Sequence, residues 1–176
     1  MKWQYLFVTV VLIAMVCATA CTGEETPGPE RRSPASPGQV LVAIGDVTGT
    51  GIPRGWIDTI TFKVGRAPGA PPVPMENLTI IYADAVRSET LEAVAGIRGS
   101  PPQGSWGVIE VKNEEAAPDN LLEYDEEFVI QINPLAPLVP RQFIRIVVGH
   151  PSGTALTLNR VAPASILGGD TILAEP

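Results

Sequence analysis

Histidine, body cysteine and clustered basic residues are nearly missing from this sequence, and each scarcity removes a class of function. Of 176 residues one is histidine, His150, and the two cysteines, Cys17 and Cys21, both fall within the first 21 positions. The body therefore has no disulfide framework and no cysteine-based metal site. A serine nucleophile would have to borrow His150, which stands beside Pro151 in a turn-forming stretch, and no Gly-x-Ser-x-Gly elbow frames a serine. The twelve lysines and arginines are scattered against nineteen acidic residues, giving a net charge of −7, and Arg31-Arg32 is an isolated basic pair with acidic residues before it. Binding a phosphate backbone needs clustered cations that displace counterions, so nucleic acid is excluded as a partner. Long helices are disfavoured as well, because 18 prolines and 17 glycines interrupt the chain without any collagen-like period.

The first 21 residues have the anatomy of an export or anchoring segment. Met1-Lys2 is a short basic start, Leu6 to Cys17 is apolar, and Ala18-Thr19-Ala20-Cys21 ends it with small residues. Ala18-x-Ala20 suits an ordinary signal peptidase cutting before Cys21. The same four residues resemble a bacterial lipobox, which would make Cys21 a lipidated first residue. Retention of the segment as a helix is the third reading, and its 18 apolar-rich residues from Trp3 to Ala20 are marginal for a membrane span. Residues 22–38 are polar, proline-spaced and without large apolar side chains, which reads as an extended linker. The membrane is thus an expected partner, through this segment or a lipid.

From Gln39 the pattern changes to that of an all-β domain spanning 39–176. Val40 to Ile44 is a β-rich run ended by Gly45-Asp46, and Gly45 to Gly51 reads as a flexible hairpin turn. That glycine-rich stretch lacks the Gly-Lys-Ser/Thr ending of a phosphate loop. Ile60, Phe62 and Val64 alternate with Thr59, Thr61 and Lys63, the period of a half-buried strand. Arg66 to Pro74 reads as loop, since proline donates no ladder bond. Further strands are expected at Leu78–Tyr82, Glu89–Val94 with Leu91 inward, Trp106–Val111, Phe128–Ile132, Phe143–Val148 and Leu156–Asn159. Asp119 to Asp125 is read as at most one helical turn. Seven or eight short strands between Gly/Pro turns fit a single Greek-key-like β-sandwich, preceded by the apolar helix and the Pro-rich linker.

Candidate chemistry is sparse. Glu123, Asp125, Glu126 and Glu127 could present several carboxylates to a hard cation, but they lack EF-hand spacing and read as a solvated turn. No catalytic, cofactor-binding or metal-ligating residues are assigned, and no cofactor is implied. Asn77-Leu78-Thr79 is an N-glycosylation sequon at the start of a predicted strand. Trp56 and Trp106, if exposed on one strand face, would form a platform for a sugar or polymer.

Four stretches, in order, resemble the outer domain of archaeal-type flagellins (archaellins). They are Ile57 to Val64 followed by a Gly/Pro loop; Met75 to Asp84 with its aromatic-small-Asp turn; Asn120 to Ile130 with Leu-Glu-x-x-Glu-x-Phe character; and Phe143 to Ile146 with Pro151-Ser152-Gly153, Leu156 to Arg160 and Pro163. The resemblance implies a β-sandwich serving cell motility without enzymatic activity, with like subunits or other motility proteins as partners and a place at the cell surface. An archaellin keeps a long apolar N-terminal helix after a glycine cleavage site. Here the apolar segment is short, no glycine stands at that place, and a proline-rich linker follows, so an atypical filament subunit and an anchored accessory are both expected. The alternative is a surface lipoprotein that binds an envelope polymer or ligand.

Overall fold

Alternation of apolar and polar side chains dictates strands, and strands are the main regular structure of the described residues. The computed structural model describes residues 30–52, 55–96, 99–114 and 119–176. The apolar segment with Cys21, and the linker up to residue 29, lie outside the described residues. The strands are β1 (Leu41–Ile52), β2 (Trp56–Arg66), β3 (Val73–Pro74), β4 (Thr79–Asp84), β5 (Ser88–Ala93), β6 (Ser105–Lys112), β7 (Leu121–Leu122), β8 (Glu127–Asn133), β9 (Phe143–Gly149), β10 (Leu156–Val161) and β11 (Gly169–Ile172). A 3₁₀ turn, Met75–Asn77, leads into β4.

Nine strands form one curled sheet in the order β10-β9-β4-β5-β6-β8-β2-β1-β11, while β3 and β7 make a separate pair. All neighbours are antiparallel except β5 and β6, which touch through only Glu92↔Ser105 and Ala93↔Trp106. That short parallel join is the fold line. On one side β10-β9-β4-β5 form one layer, and on the other β6-β8-β2-β1-β11 form the second, giving the expected two-layered β architecture. The inward rows are those the period of two selects: Ile60, Phe62 and Val64; Ile80 and Tyr82; Phe128, Ile130 and Ile132; Ile144, Ile146 and Val148. Trp106, Tyr82, Phe62 and Phe128 are the largest fully buried side chains. Each such burial contributes roughly 1.5–3 kcal/mol against the entropy of ordering the chain.

Three expectations are corrected. Gly45 to Gly51 is no turn: β1 continues through it to Ile52, with a bulge between Ile44 and Thr48 where Gly45 takes φ 65°. The later glycines are there because the neighbours come close, since a Cβ on Gly49 would lie 2.7 Å from Ile57. Asp119 to Asp125 forms no helical turn, for Leu121–Leu122 pairs with Val73–Pro74, inside what was read as loop, and Asp125 has φ 62°. Among the described residues there are eleven strands where seven or eight were expected, the additions being this two-residue pair and β11.

Candidate functional site

The curled sheet almost closes on itself at a seam where β10 and the segment after β11 meet. At one margin Val161 of β10 bridges Ala174, just past β11, and Gln39 bridges Thr154. Between these contacts the free edge of β1 is occupied by the end of the linker. Ser33 donates its N–H to the Ala43 carbonyl and Gly45 donates to the Arg31 carbonyl, both at 2.8 Å, with Arg32 opposite Ile44. That pattern is one antiparallel rung, in which a non-hydrogen-bonded pair is flanked by two bonds.

Side chains fix the register of this strap. In an extended chain residues two apart face the same way, so Glu30 and Arg32 both reach over the outer face of the sheet. Glu30 pairs with Lys63, and Arg32 lies 3.7 Å from Glu127 and 4.0 Å from Asp125. The Lys63 ammonium hydrogen-bonded to it holds the Glu30 carboxyl below its usual range; partial burial opposes this, and the charges of Lys63 and Lys112 add to it. All of residues 30–38 are exposed.

Beside the strap is a cleft of about 720 Å³ bordered by Arg31, Asp46, Arg160 and the C-terminal Leu173–Glu175. Arg160, inward at the end of β10 and 7% exposed, donates to the Asn159 carbonyl at 2.8 Å and sits 3.4 Å from the Glu175 carboxylate. Cationic and anionic groups line this cleft in similar measure, so its charge selects no ion of either sign.

Other sequence candidates are dispersed. Asn77 is exposed in the turn before β4, open to modification, and lies apart from the seam. His150 accepts the Ser152 N–H at its Nδ1, 3.2 Å away, which makes it a loop-shaping residue. Trp106 is 1% exposed in the core and Trp56 is half-buried at the start of β2, so the two form no shared exposed platform. The acidic stretch also divides. Glu126 folds back to accept the Glu123 N–H at 2.8 Å, and Glu127 faces Arg32, while Glu123 and Asp125 are exposed. Among the described residues no three His, Cys, Asp or Glu side chains are grouped to hold a metal ion. Burial raises the Glu126 carboxyl, the Glu123 backbone bond opposes that, and the charges of Glu123, Asp119 and Glu114 raise it further.

Sequence reasoning missed the strap. Its signal was available in the opposite charges of Glu30 and Arg32, two apart in a stretch of small polar residues. Arg160 gave no such signal.

No protein-family model matches the chain, and no curated protein matches its sequence. Solved structures do match its shape. Archaeal flagellin FlaB1 from Methanocaldococcus jannaschii superposes with a TM-score of 0.58 at 15% identity, covering 73% of this chain and 93% of that one. The β domain has the archaellin fold. The archaeal flagellum of Methanospirillum hungatei strain JF1 gives a TM-score of 0.52 at 13% identity, over 76% of this chain and 70% of that chain. The archaellum periplasmic stator protein complex FlaF and FlaG from Sulfolobus acidocaldarius overlaps less, with a TM-score of 0.46 at 18% identity over 64% and 82% of the two chains. At such identities the archaellin-like domain shares an architecture, and its role has to be argued separately.

Proposed function

We propose that this chain is a non-enzymatic structural component of an archaeal-type flagellum, acting outside the cytoplasm as an accessory held by its N-terminal segment. The observation that carries the reading is the archaellin fold, matched over 93% of the FlaB1 chain. The accessory role is favoured over filament subunit by the chain ahead of the fold. Residues 30–38 are exposed and non-helical: they lie back along β1 and reverse into it at a turn over Pro37-Gly38, where the Gln39 N–H donates to the Ser36 carbonyl at 3.0 Å, whereas a core helix running on into the domain would need helical backbone. Like subunits or other motility proteins are its partners, and a lipid on Cys21 or the retained apolar segment is its anchor. Polymer binding on an aromatic platform is disfavoured because Trp106 is buried.

Deleting the gene in the native host tests this, with swimming on soft agar and electron microscopy of filaments as readouts. Filaments present on cells that no longer swim support the accessory role. Loss of filaments would make the chain a subunit, and normal swimming would remove the motility reading. Intact mass of the native protein completes the test: acylation at Cys21 means a lipid tether, and a retained residue 1–20 segment means an apolar anchor.

A further inference from the structure

Four connections between strands lie at the same end of the domain, as the ladders dictate: β1 to β2, β4 to β5, β8 to β9 and β10 to β11. Of the seven large apolar side chains exposed among the described residues, five stand at this end: Val86, Leu135, Val139, Leu167, and Phe143 at the start of β9. Leu135 and Val139 are held out by construction. Between them Leu138 is buried and exchanges two backbone hydrogen bonds with Ile57, at 2.8 and 2.9 Å, while Pro134, Pro137 and Pro140 fix φ along the loop. Charge is sorted in the same sense. The described residues of these connections include Arg87 and Arg141 and no carboxylate, and Asp84, at the base of one turn, is tied to Arg87 with its side chain 5% exposed. The opposite end presents Asp119, Glu123 and Asp125 to solvent.

We infer that this end of the domain seats on the lipid surface to which the chain is tethered, its five apolar side chains entering the interface and Arg87 and Arg141 meeting the headgroups. The inference rests on the reading that the N-terminal segment anchors the chain. Apolar tips on separate loops suit a fluid interface, which closes round each of them, whereas a protein partner would need a packed socket for every tip. The tether permits the contact. Residues 30–38 of the linker are laid on the domain, so residues 22–29 join it to the anchoring segment, a reach of roughly 25–30 Å at full extension. Glu30 leaves the domain level with the middle of β1, since the neighbouring Arg31 carbonyl accepts from Gly45, and the remaining length of β1 to Ile52 is about 20–23 Å. The reach therefore just exceeds the distance from that exit to the apolar end. So short a tether also holds this end at high effective concentration beside the bilayer.

Fluorescence quenching tests it on the full chain purified from its native host, so that the anchor is whatever the cell supplies. Leu135→Cys, Leu167→Cys and, exposed at the opposite end, Ser152→Cys are each labelled with an environment-sensitive fluorophore, and the label taken up by the parent chain is subtracted. The proteins are reconstituted with vesicles of phosphatidylcholine and phosphatidylglycerol, with or without bromine on the acyl chains. Bromine should quench the labels at positions 135 and 167 several-fold and leave that at 152 unchanged. Labels at 135 and 167 as insensitive as the one at 152, on chains that float with the vesicles, would overturn the membrane contact and leave the anchor standing. Blue-shifted emission that ignores bromine and grows with protein concentration in the absence of vesicles would overturn it in favour of a second copy. A chain that neither fractionates with host membranes nor floats would overturn the anchor, and this inference with it.

Discussion

Ile44 lies across the backbone of Gly65 so closely that a Cβ on Gly65 would come within 2.6 Å of the Ile44 Cδ1. The two sit on the adjacent strands β1 and β2, just beneath the strap, and Ile44 is buried although it is on the side of β1 away from the main core. Gly65→Ala must push Ile44 off its rotamer or move the strand, and overpacking of this kind costs about 1–3 kcal/mol. Urea unfolding reads the loss directly. Gly168→Ala is the matched control, since nothing lies within 4 Å of its Cβ position, and it is expected to stay within about 0.5 kcal/mol of the parent.

Tyr82 is 1% exposed, and its hydroxyl finds no hydrogen-bond partner in the core. Burial, with the charges of Asp84 and Glu89 behind it, raises the Tyr82 pKa far above the usual phenol value. A buried polar atom without a partner carries its desolvation cost uncompensated. Tyr82→Phe is therefore expected to be neutral or to stabilise by up to about 1 kcal/mol, whereas Tyr82→Ala should lose about 3–5 kcal/mol through the cavity. Thermal unfolding of the two variants separates the ring from its hydroxyl. A clear loss in Tyr82→Phe would mean that the hydroxyl is bonded in solution.

Why some of this was readable in the sequence and some not follows from the range of the interactions. Phe62, Ile80, Ile130 and Ile146 announce themselves because burial on one sheet face imposes a period of two on neighbouring residues. The order of those strands matched the archaellin resemblance, and the fold followed. Gly45 misled because glycine signals turns and bulges alike. Only the approach of Ile57 to Gly49, and of Ile44 to Gly65, shows that the backbone runs on as a strand. Leu121 and Leu122 find their partners Val73 and Pro74 nearly fifty residues away, beyond any local pattern. The strap was half legible, since the spacing of Glu30 and Arg32 encodes a face but not the Lys63 and Glu127 that await it.

Asp84 closes the β4–β5 turn by accepting two backbone N–H groups on Oδ1, from Val86 at 2.7 Å and Arg87 at 2.9 Å. Arg87 Nε stands 3.6 Å from Oδ2. Aspartate is suited to this role because its short side chain can mimic a backbone carbonyl. Asp84→Ala leaves both N–H groups without that acceptor and should cost about 1–2 kcal/mol. Asp84→Asn keeps an acceptor oxygen and gives up only the ion pair to Arg87, which is exposed on the arginine side, so its loss should be the smaller of the two. If the two variants unfold alike in urea, the charge rather than the turn geometry holds this corner.

Acid should act on Glu30 and Glu126 in opposite directions. Glu30 is held below its ordinary value of 4.5, so its pairing with Lys63 stabilises above that pH and is lost as pH falls through the folded value. Glu126 is held above 4.5, so its carboxylate destabilises as pH rises through its folded value, and the folded state is relieved of that burden in acid. Glu126→Gln should accordingly raise the melting temperature near neutral pH, with the gain shrinking below 4.5. Hydrogen exchange at the Gly45 amide isolates the strap, because that N–H is bonded to the Arg31 carbonyl. After correction for intrinsic exchange rates, its protection should fall as pH drops below 4.5, and Glu30→Gln should lower it at neutral pH. Protection that is flat with pH and unchanged in Glu30→Gln would mean that the backbone rung and Arg32 hold the strap without help from Glu30.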